Sequence, residues 1–165
     1  MSFFIILRGP LGIGKSSIAR RLSRVLKAHH IELDLVLEKN GLDGIDKKIG
    51  CIPLSNFLKA DDIILPKMEN YLKDGENVVL EACFYYKGHI EHIIENLPYT
   101  NYVFTLKAPI ETCIERDKRR NKTHGKKAAE NVYVLVSRFD YGQNIDVSKK
   151  SASQTVKEII SFLPT

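Results

Sequence analysis

The fold is decided by residues 3–16, which read FFIILRGPLGIGKS. The first five of these residues are apolar, and such a run is typical of a parallel strand that is buried on both faces. The last eight fit the pattern G-x-x-x-x-G-K-S/T without a gap. Glycines allow such a loop to curl until its N–H groups point inward and form an anion-binding concavity. A helical pattern follows the loop, so the sequence predicts a phosphate site between a strand and a helix.

The polar residues at the end of this loop indicate a nucleoside triphosphate as the ligand. The Lys15 ammonium can reach the β- and γ-phosphates, and the Ser16 hydroxyl can hold Mg²⁺. The predicted helix over 15–27 adds the partial positive charge of its N-terminus to the same place. The residues that we expect to bind the nucleotide are Gly9, Pro10, Leu11, Gly12, Ile13, Gly14, Lys15, Ser16 and Ser17.

The length and composition predict one globular domain over 1–165. Apolar residues make up 44% of the chain and charged residues 27%, and the net charge of +5 suits a polyanionic ligand without requiring a nucleic acid. The three cysteines (Cys51, Cys83 and Cys113) form no C-x-x-C pair, so we expect neither a zinc site nor a disulfide framework. Apolar runs of only strand length predict no membrane span, and a chain that starts with a strand predicts no signal peptide. We therefore expect a cytoplasmic protein without a membrane partner.

Strand patterns alternate with helical patterns along the whole chain, which predicts an α/β fold with three layers: five parallel strands between two layers of helices. The predicted strands are 3–8, 30–37, 77–80, 102–106 and 142–147. The predicted helices are 15–27, 55–72, 87–96, a helix begun by Pro109, 131–139 and 155–163. We expect Pro66 to kink or split the second helix. Residues from about 40 to 75 form the predicted acceptor-side excursion, which begins with a Gly- and Asp-rich stretch over 40–53.

Carboxylates lie near the ends of two of the predicted strands, at the edge where ligands bind in parallel sheets. Asp34, near the end of the second strand, is a candidate to orient an acceptor hydroxyl and accept its proton. Its alternative interpretation is a surface carboxylate on the polar side of that strand. Glu81 ends the third strand and is a candidate to help Ser16 hold Mg²⁺. The alternative for Glu81 is an ion pair with Lys15 or an arginine.

A basic cluster follows the fourth predicted strand and contains Arg116, Arg119 and Arg120. Guanidinium groups clamp phosphate through two hydrogen bonds and stabilise charge on a phosphoryl group in transfer. The segment over about 116–130 contains Gly125 and is interpreted as a lid that closes over the nucleotide. A solvated helix face is the alternative interpretation of these charges.

Taken together, the loop 9–16, Asp34, the run LKAPIETCIERD over 106–117 and the segment 139–146 resemble the small P-loop kinases. The likeness extends to the AAA-type and polynucleotide-kinase-like group, with the zeta-toxin type, and to the shikimate, gluconate and adenylylsulfate kinase-like group. It implies the P-loop kinase fold, ATP as donor and Mg²⁺. It also implies Asp34 as the base, Arg116 and Arg120 as lid arginines, and an adenine-contacting loop near Asp146 and Ser148. Glu81-Ala82 departs from the Asp-Gly that is usual in these families.

The sequence therefore predicts an ATP-dependent phosphotransferase that moves the γ-phosphate to a hydroxyl of a small molecule or nucleotide. A polynucleotide 5′-hydroxyl kinase or a nucleotide kinase is the first alternative, and it leaves a nucleic-acid partner open. The alternative from another class is a nucleotide-binding regulatory ATPase without an acceptor. The identity of the acceptor and the oligomeric state stay open at this level.

Overall fold

A five-stranded parallel sheet lies at the centre of the computed structural model, which describes residues 1–120 and 125–164. Its strands are β1 (Phe3–Arg8), β2 (His29–Glu32), β3 (Val78–Ala82), β4 (Thr100–Lys107) and β5 (Gln143–Asp146). The helices of the described residues are α1 (Lys15–Leu26), α2 (Leu33–Lys39), α3 (Leu54–Lys73), α4 (Lys87–Asn96), α5 (Ile110–Lys118), α6 (Lys126–Ser137) and α7 (Ala152–Ser161). None of these helices has the length and apolar character needed to cross a bilayer.

The order of the strands is β2-β3-β1-β4-β5, and every neighbouring pair is parallel. The strand that leads into the phosphate loop is therefore central, and the loop leaves the middle of the carboxyl-terminal edge. Because successive side chains of a strand point to opposite faces, Phe4 and Ile6 enter one core while Ile5 and Leu7 enter the other. The uninterrupted apolar run of β1 is thus explained by burial on both sides.

Two layers of helices cover the sheet and confirm the predicted three-layer α/β fold. Buried residues of α2, α3, α4 and α6 belong to the core on the Phe4 side. Buried residues of α1, α5 and α7 belong to the core on the Ile5 side. Residues 40–53 connect α2 to α3 and contain one antiparallel bridge, between Asp46 and Cys51.

The predicted second strand, 30–37, is wrong over its second half. Strand β2 ends at Glu32, and helix α2 begins at Leu33. Leu33 and Leu37 are both buried, four residues apart, whereas Leu35 is 45% exposed. That spacing belongs to one face of a helix, and it overrides the apparent alternation of apolar and polar residues.

The expected break at Pro66 is also wrong, because α3 continues from Leu54 to Lys73 as one helix, and the alternative expectation of a kink stays a prediction. Pro66 lies on its exposed side, as does Asp62, whose carbonyl group loses its helical N–H donor. Water can satisfy a carbonyl group there, so the helix tolerates the proline. Helix α6 also begins earlier than predicted, at Lys126 instead of Asn131.

Arg8, the last residue of β1, is completely buried and ties four segments together. Its Nε donates to the carbonyl of Phe84 at 3.2 Å, and its guanidinium lies 4.3 Å above the Phe139 ring. Its terminal nitrogens donate to Thr105 Oγ1 at 3.1 Å, Phe139 O at 3.3 Å and Val136 O at 2.9 Å. Burial lowers the pKa of Arg8 to about 10, so the group is still charged at neutral pH.

We expect Arg8→Met to lower the free energy of unfolding by about 2–4 kcal/mol, because carbonyl or hydroxyl oxygens of three segments lose their donor. The loss is measured by urea unfolding followed by circular dichroism. Arg21→Met, on the exposed face of α1, is the matched control and should change stability little. Equal stability of the two variants would contradict this role of Arg8.

Candidate functional site

The loop between β1 and α1 forms a concavity that only glycine permits at two positions. Gly12 has a φ of +79°, and a Cβ atom there would lie 2.1 Å from the carbonyl oxygen of Cys113 in α5. Gly14 has a φ of +99° and precedes the first turn of α1 without a side-chain cap. The N–H groups of that turn are therefore left for an anion, as the motif predicts.

Lys15 lies over this loop and is almost completely buried, with 7% of its surface exposed. Its Nζ donates a hydrogen bond of 2.9 Å to the carbonyl oxygen of Pro10. Burial disfavours its charge, but the nearby Cys83, Glu81 and Asp34 outweigh burial and raise the pKa of Lys15. The lysine is therefore a fixed cation at the place where the motif positions the phosphates.

Two carboxylates and the Ser16 hydroxyl meet beside the loop. Ser16 Oγ donates to Glu81 Oε1 at 2.8 Å and lies 3.4 Å from Glu32 Oε1. Glu32 and Glu81 are register partners on the neighbouring strands β2 and β3. Burial and the adjacent Glu81 raise the pKa of Glu32. His30 also approaches the group, with Nε2 3.5 Å from Glu81 Oε1.

This group of oxygens fits Mg²⁺, which prefers hydroxyl and carboxylate ligands. Within 1–120 and 125–164, no group of three or more His, Cys, Asp or Glu side chains is arranged to hold a metal by itself. Magnesium commonly uses one or two carboxylates together with substrate phosphates and water. Ser16, Glu81 and Glu32 would hold the ion only together with the phosphates of a bound nucleotide.

Asp34 lies in the first turn of α2 and not on a strand as predicted. Its side chain is exposed, and its charge contributes to the raised pKa of Lys15. It thus stands on the phosphate side of the sheet edge, two residues beyond Glu32. Its predicted role as the base stays a prediction.

The structure separates the three arginines of the basic cluster. Arg116 lies at the loop, where its Nη1 donates to Ile13 O at 3.2 Å and its Nη2 approaches Val147 O at 3.4 Å. Arg119 pairs with Glu115 at 3.2 Å on the exposed side of α5. Arg120 lies 3.8 Å from the buried Asp117. Residues 121–124 of the predicted lid are outside the described part of the chain.

The loop after β5, predicted to contact adenine, is held in a tight turn. Asp146 Oδ1 accepts hydrogen bonds from Ser148 N at 2.9 Å and from Ser148 Oγ at 2.6 Å. Both bonds lower the pKa of Asp146. Because Arg116 contacts Ile13 and Val147, this turn is joined to the phosphate loop.

Glu32 and the hydrogen-bond partners of Tyr85 and Tyr86 were not predicted from the sequence, which indicates only that these tyrosines stack on a base, line an acceptor pocket or pack as core aromatics. Glu32 becomes a candidate ligand only when it is known to be the last residue of β2, at the carboxyl-terminal edge of the sheet. The tyrosines after β3 hold the end of the 40–53 excursion: Tyr85 Oη accepts from Ile52 N at 3.0 Å, and Tyr86 Oη donates to Ile52 O at 2.9 Å. A run of aromatic residues after a strand gives no sign of such partners.

The sequence matches the family model described as an AAA domain over residues 4–137. The chain belongs to this family. A comparison with curated proteins finds no match. Among solved structures, the AAA domain is similar to a sugar kinase from Janibacter sp. HTCC2649, with a TM-score of 0.79 and 13% identity over 98% of this chain and 94% of that one.

Two further solved structures extend the likeness. A gluconokinase from Sinorhizobium meliloti 1021 has a TM-score of 0.67 and 17% identity over 95% of this chain and 89% of that one. A chain of the Pnkp1/Rnl/Hen1 RNA repair complex has a TM-score of 0.66 and 20% identity over 86% of this chain and 47% of that one. At these identities the likeness concerns the fold, and the AAA domain has the predicted P-loop kinase fold.

We expect Glu32→Gln to lower the Mg²⁺ affinity of the ATP-bound protein by about tenfold or more, because one of the clustered side chains loses its charge. The measurement is a Mg²⁺ titration of the ATP-bound protein, followed by calorimetry. Glu38→Gln, on the exposed side of α2, is the control and should keep the wild-type dependence. The metal assignment fails if the two variants respond to Mg²⁺ alike.

Proposed function

We propose that this AAA domain transfers the γ-phosphate of ATP, with Mg²⁺, to a hydroxyl of a small molecule or nucleotide. The observation that carries the proposal is the meeting of Lys15, Ser16, Glu32 and Glu81 around one glycine loop. An anion concavity with a fixed cation and an oxygen cluster has the parts that a nucleoside triphosphate with its metal requires. The kinase folds of the neighbours support the same class of reaction.

The chemistry follows from positioning and charge. The N–H groups of the loop and the Lys15 ammonium bind the β- and γ-phosphates, and Arg116 lies where it can turn from carbonyl groups to phosphate oxygens. When bound, Mg²⁺ neutralises charge on the β- and γ-oxygens. Asp34 orients the acceptor hydroxyl and takes its proton as the bond to phosphorus forms and the bond from the γ-phosphorus to the bridging oxygen breaks.

The excursion over 40–53 supports an acceptor site on the α2 side of the loop. It begins directly after α2, the helix that carries Asp34, and Tyr85 and Tyr86 fix its far end to the edge of the sheet. An acceptor between these segments would face Asp34 on one side and the γ-phosphate on the other. A polynucleotide or nucleotide acceptor is the second candidate, favoured by the likeness to a chain of an RNA repair complex.

Asp34→Asn distinguishes a kinase from a simple ATPase. If Asp34 orients and deprotonates the acceptor, acceptor phosphorylation falls by roughly 10²–10⁴-fold while ATP affinity is kept. ATP affinity is measured by calorimetry, and product formation is measured with polyols, nucleosides and 5′-hydroxyl oligonucleotides as acceptors. Lys15→Ala is the inactive control. A wild-type rate of acceptor phosphorylation by Asp34→Asn would remove Asp34 from the mechanism. ATP hydrolysis at a rate that no acceptor changes would favour the regulatory ATPase.

Replacement of Arg116 by Ala should lower turnover by about 10³-fold, the effect of an arginine that stabilises the transferring phosphoryl group. Arg119→Ala is the matched control, since Arg119 pairs with Glu115 four residues earlier in the chain and is largely exposed. Arg120→Ala tests the second predicted lid arginine beside it. Steady-state rates at saturating ATP decide the comparison, and unchanged turnover of the Arg116 variant would make the cluster a solvated helix face.

A further inference from the structure

A second group of buried ionisable side chains lies between α3 and α4. Asp61 of α3 is completely buried, and both of its carboxylate oxygens are paired. Oδ1 lies 2.8 Å from His89 Nε2, and Oδ2 lies 2.8 Å from His92 Nδ1. His89 is itself fully buried, whereas His92 is partly exposed. A carboxylate placed in a core is costly unless such partners satisfy it, so this group calls for an explanation beyond packing.

The imidazole of His89 connects Asp61 to the loop that follows β3. The ring lies between two phenylalanine rings, with centroid distances of 4.9 Å to Phe57 and 4.9 Å to Phe84. The hydrogen bond from Asp61 fixes the orientation of the imidazole, because a flipped ring would lose its Nε2 contact. The position of the Phe84 ring therefore depends on a carboxylate in a different helix.

Phe84 has an unusual backbone conformation for its residue type. Its φ is +52°, in the left-handed region that bulky residues rarely adopt. Such a conformation persists only where the surroundings enforce it. Here His89 holds the ring, and Arg8 Nε donates to the carbonyl oxygen at 3.2 Å. These two contacts stabilise the backbone conformation of residues 83–86.

The segment held in this way connects the two halves of the candidate site. At its start, the segment leaves β3 beside the phosphate loop, because Ala82 is the register partner of Arg8, the residue before that loop. At its end, Tyr85 and Tyr86 bind both polar backbone groups of Ile52. The distance between the phosphate loop and the 40–53 excursion is therefore set by one short segment.

We propose that Asp61 is a positioning residue for the acceptor: through His89 and Phe84 it fixes residues 83–86, and these fix the 40–53 excursion relative to Lys15. The inference rests on the proposed function, in which this excursion lies on the acceptor side. Asp61 touches neither nucleotide nor acceptor in this account. Its effect is the placement of an acceptor hydroxyl, and small displacements of a reacting group are costly to the rate.

The first test compares Asp61→Asn with Ile64→Val, a buried residue of the same helix. With the best acceptor, Asp61→Asn should raise the acceptor KM and lower kcat/KM by up to about 10²-fold, while the Kd for ATP stays at the wild-type value. Ile64→Val should leave the acceptor KM unchanged, because a loss of stability alone lowers the amount of active enzyme and not its affinity. His89→Gln keeps a hydrogen-bond donor but lacks the ring, so it should behave like Asp61→Asn, and it replaces that variant if Asp61→Asn does not fold.

The second test needs no acceptor and uses the three buried thiols. Cys83 begins the positioned segment and Cys51 contacts Tyr86 at its end, whereas Cys113 belongs to the core on the other face of the sheet. Labelling by a maleimide under native conditions, read by mass spectrometry, should be about tenfold faster at Cys51 and Cys83 in Asp61→Asn and His89→Gln, since local opening exposes them. Labelling of Cys113 should stay slow.

The outcomes separate this inference from the proposed function. A wild-type acceptor KM in both variants, with acceptor-dependent turnover intact, overturns the positioning role and leaves the kinase in place. Equal acceleration at all three thiols also overturns it, because that result indicates general destabilisation. Failure of every acceptor contradicts the proposed function, and selective labelling of Cys51 and Cys83 would still support the control of residues 83–86 by Asp61.

Discussion

The buried guanidinium of Arg8 is the interaction on which the carboxyl-terminal edge of the sheet depends. It stands at the end of the central strand and donates to backbone or side-chain oxygens of the segment after β3, of β4 and of the end of α6. All its partners in these bonds are neutral oxygens. Several well-directed hydrogen bonds therefore stabilise the buried guanidinium in place of a bonded carboxylate. The phosphate loop begins at the next residue, and its starting point is therefore fixed from three sides.

Around that edge the site divides into a cationic and an anionic half. Lys15, Arg116 and the start of α1 present positive charge over the glycine loop, while Glu32, Glu81 and Asp34 approach from β2, β3 and α2. Burial and the adjacent Glu81 raise the pKa of Glu32, so a positive charge beside this pair would favour its ionised form. A nucleotide together with a divalent cation carries both charges needed to balance the two halves.

Much of this architecture could be predicted because its determinants are local. The loop over 9–16 and the apolar run of β1 decide the central strand, and alternation of strands and helices decides the layers. The end of β2 could not be predicted, because LDLVLEK alternates like a strand while Leu33 and Leu37 also share a helical face. Only burial of that pair in the core selects the helix.

The same limit applies to the site. Ser16 and Glu81 were found by their places in a motif and at a strand end, and the structure brings them within 2.8 Å. The place of Glu32 depends on the register between β2 and β3, and the contact of Arg116 with the loop depends on which carbonyl groups α5 meets. Such contacts are formed between segments distant along the chain, and no spacing within one segment encodes them.

The hydrogen bond from Lys15 to Pro10 has a consequence for the energetics of binding. An ammonium group on an exposed side chain must shed its water before it can touch a phosphate, and that step opposes association. Here the hydration shell is removed as the chain folds, and a backbone carbonyl takes the place of water. When a phosphate binds, its oxygen replaces the carbonyl oxygen of Pro10 at an ammonium group that has already lost its water. The cost of dehydration on binding therefore falls mainly on the nucleotide and not on the lysine.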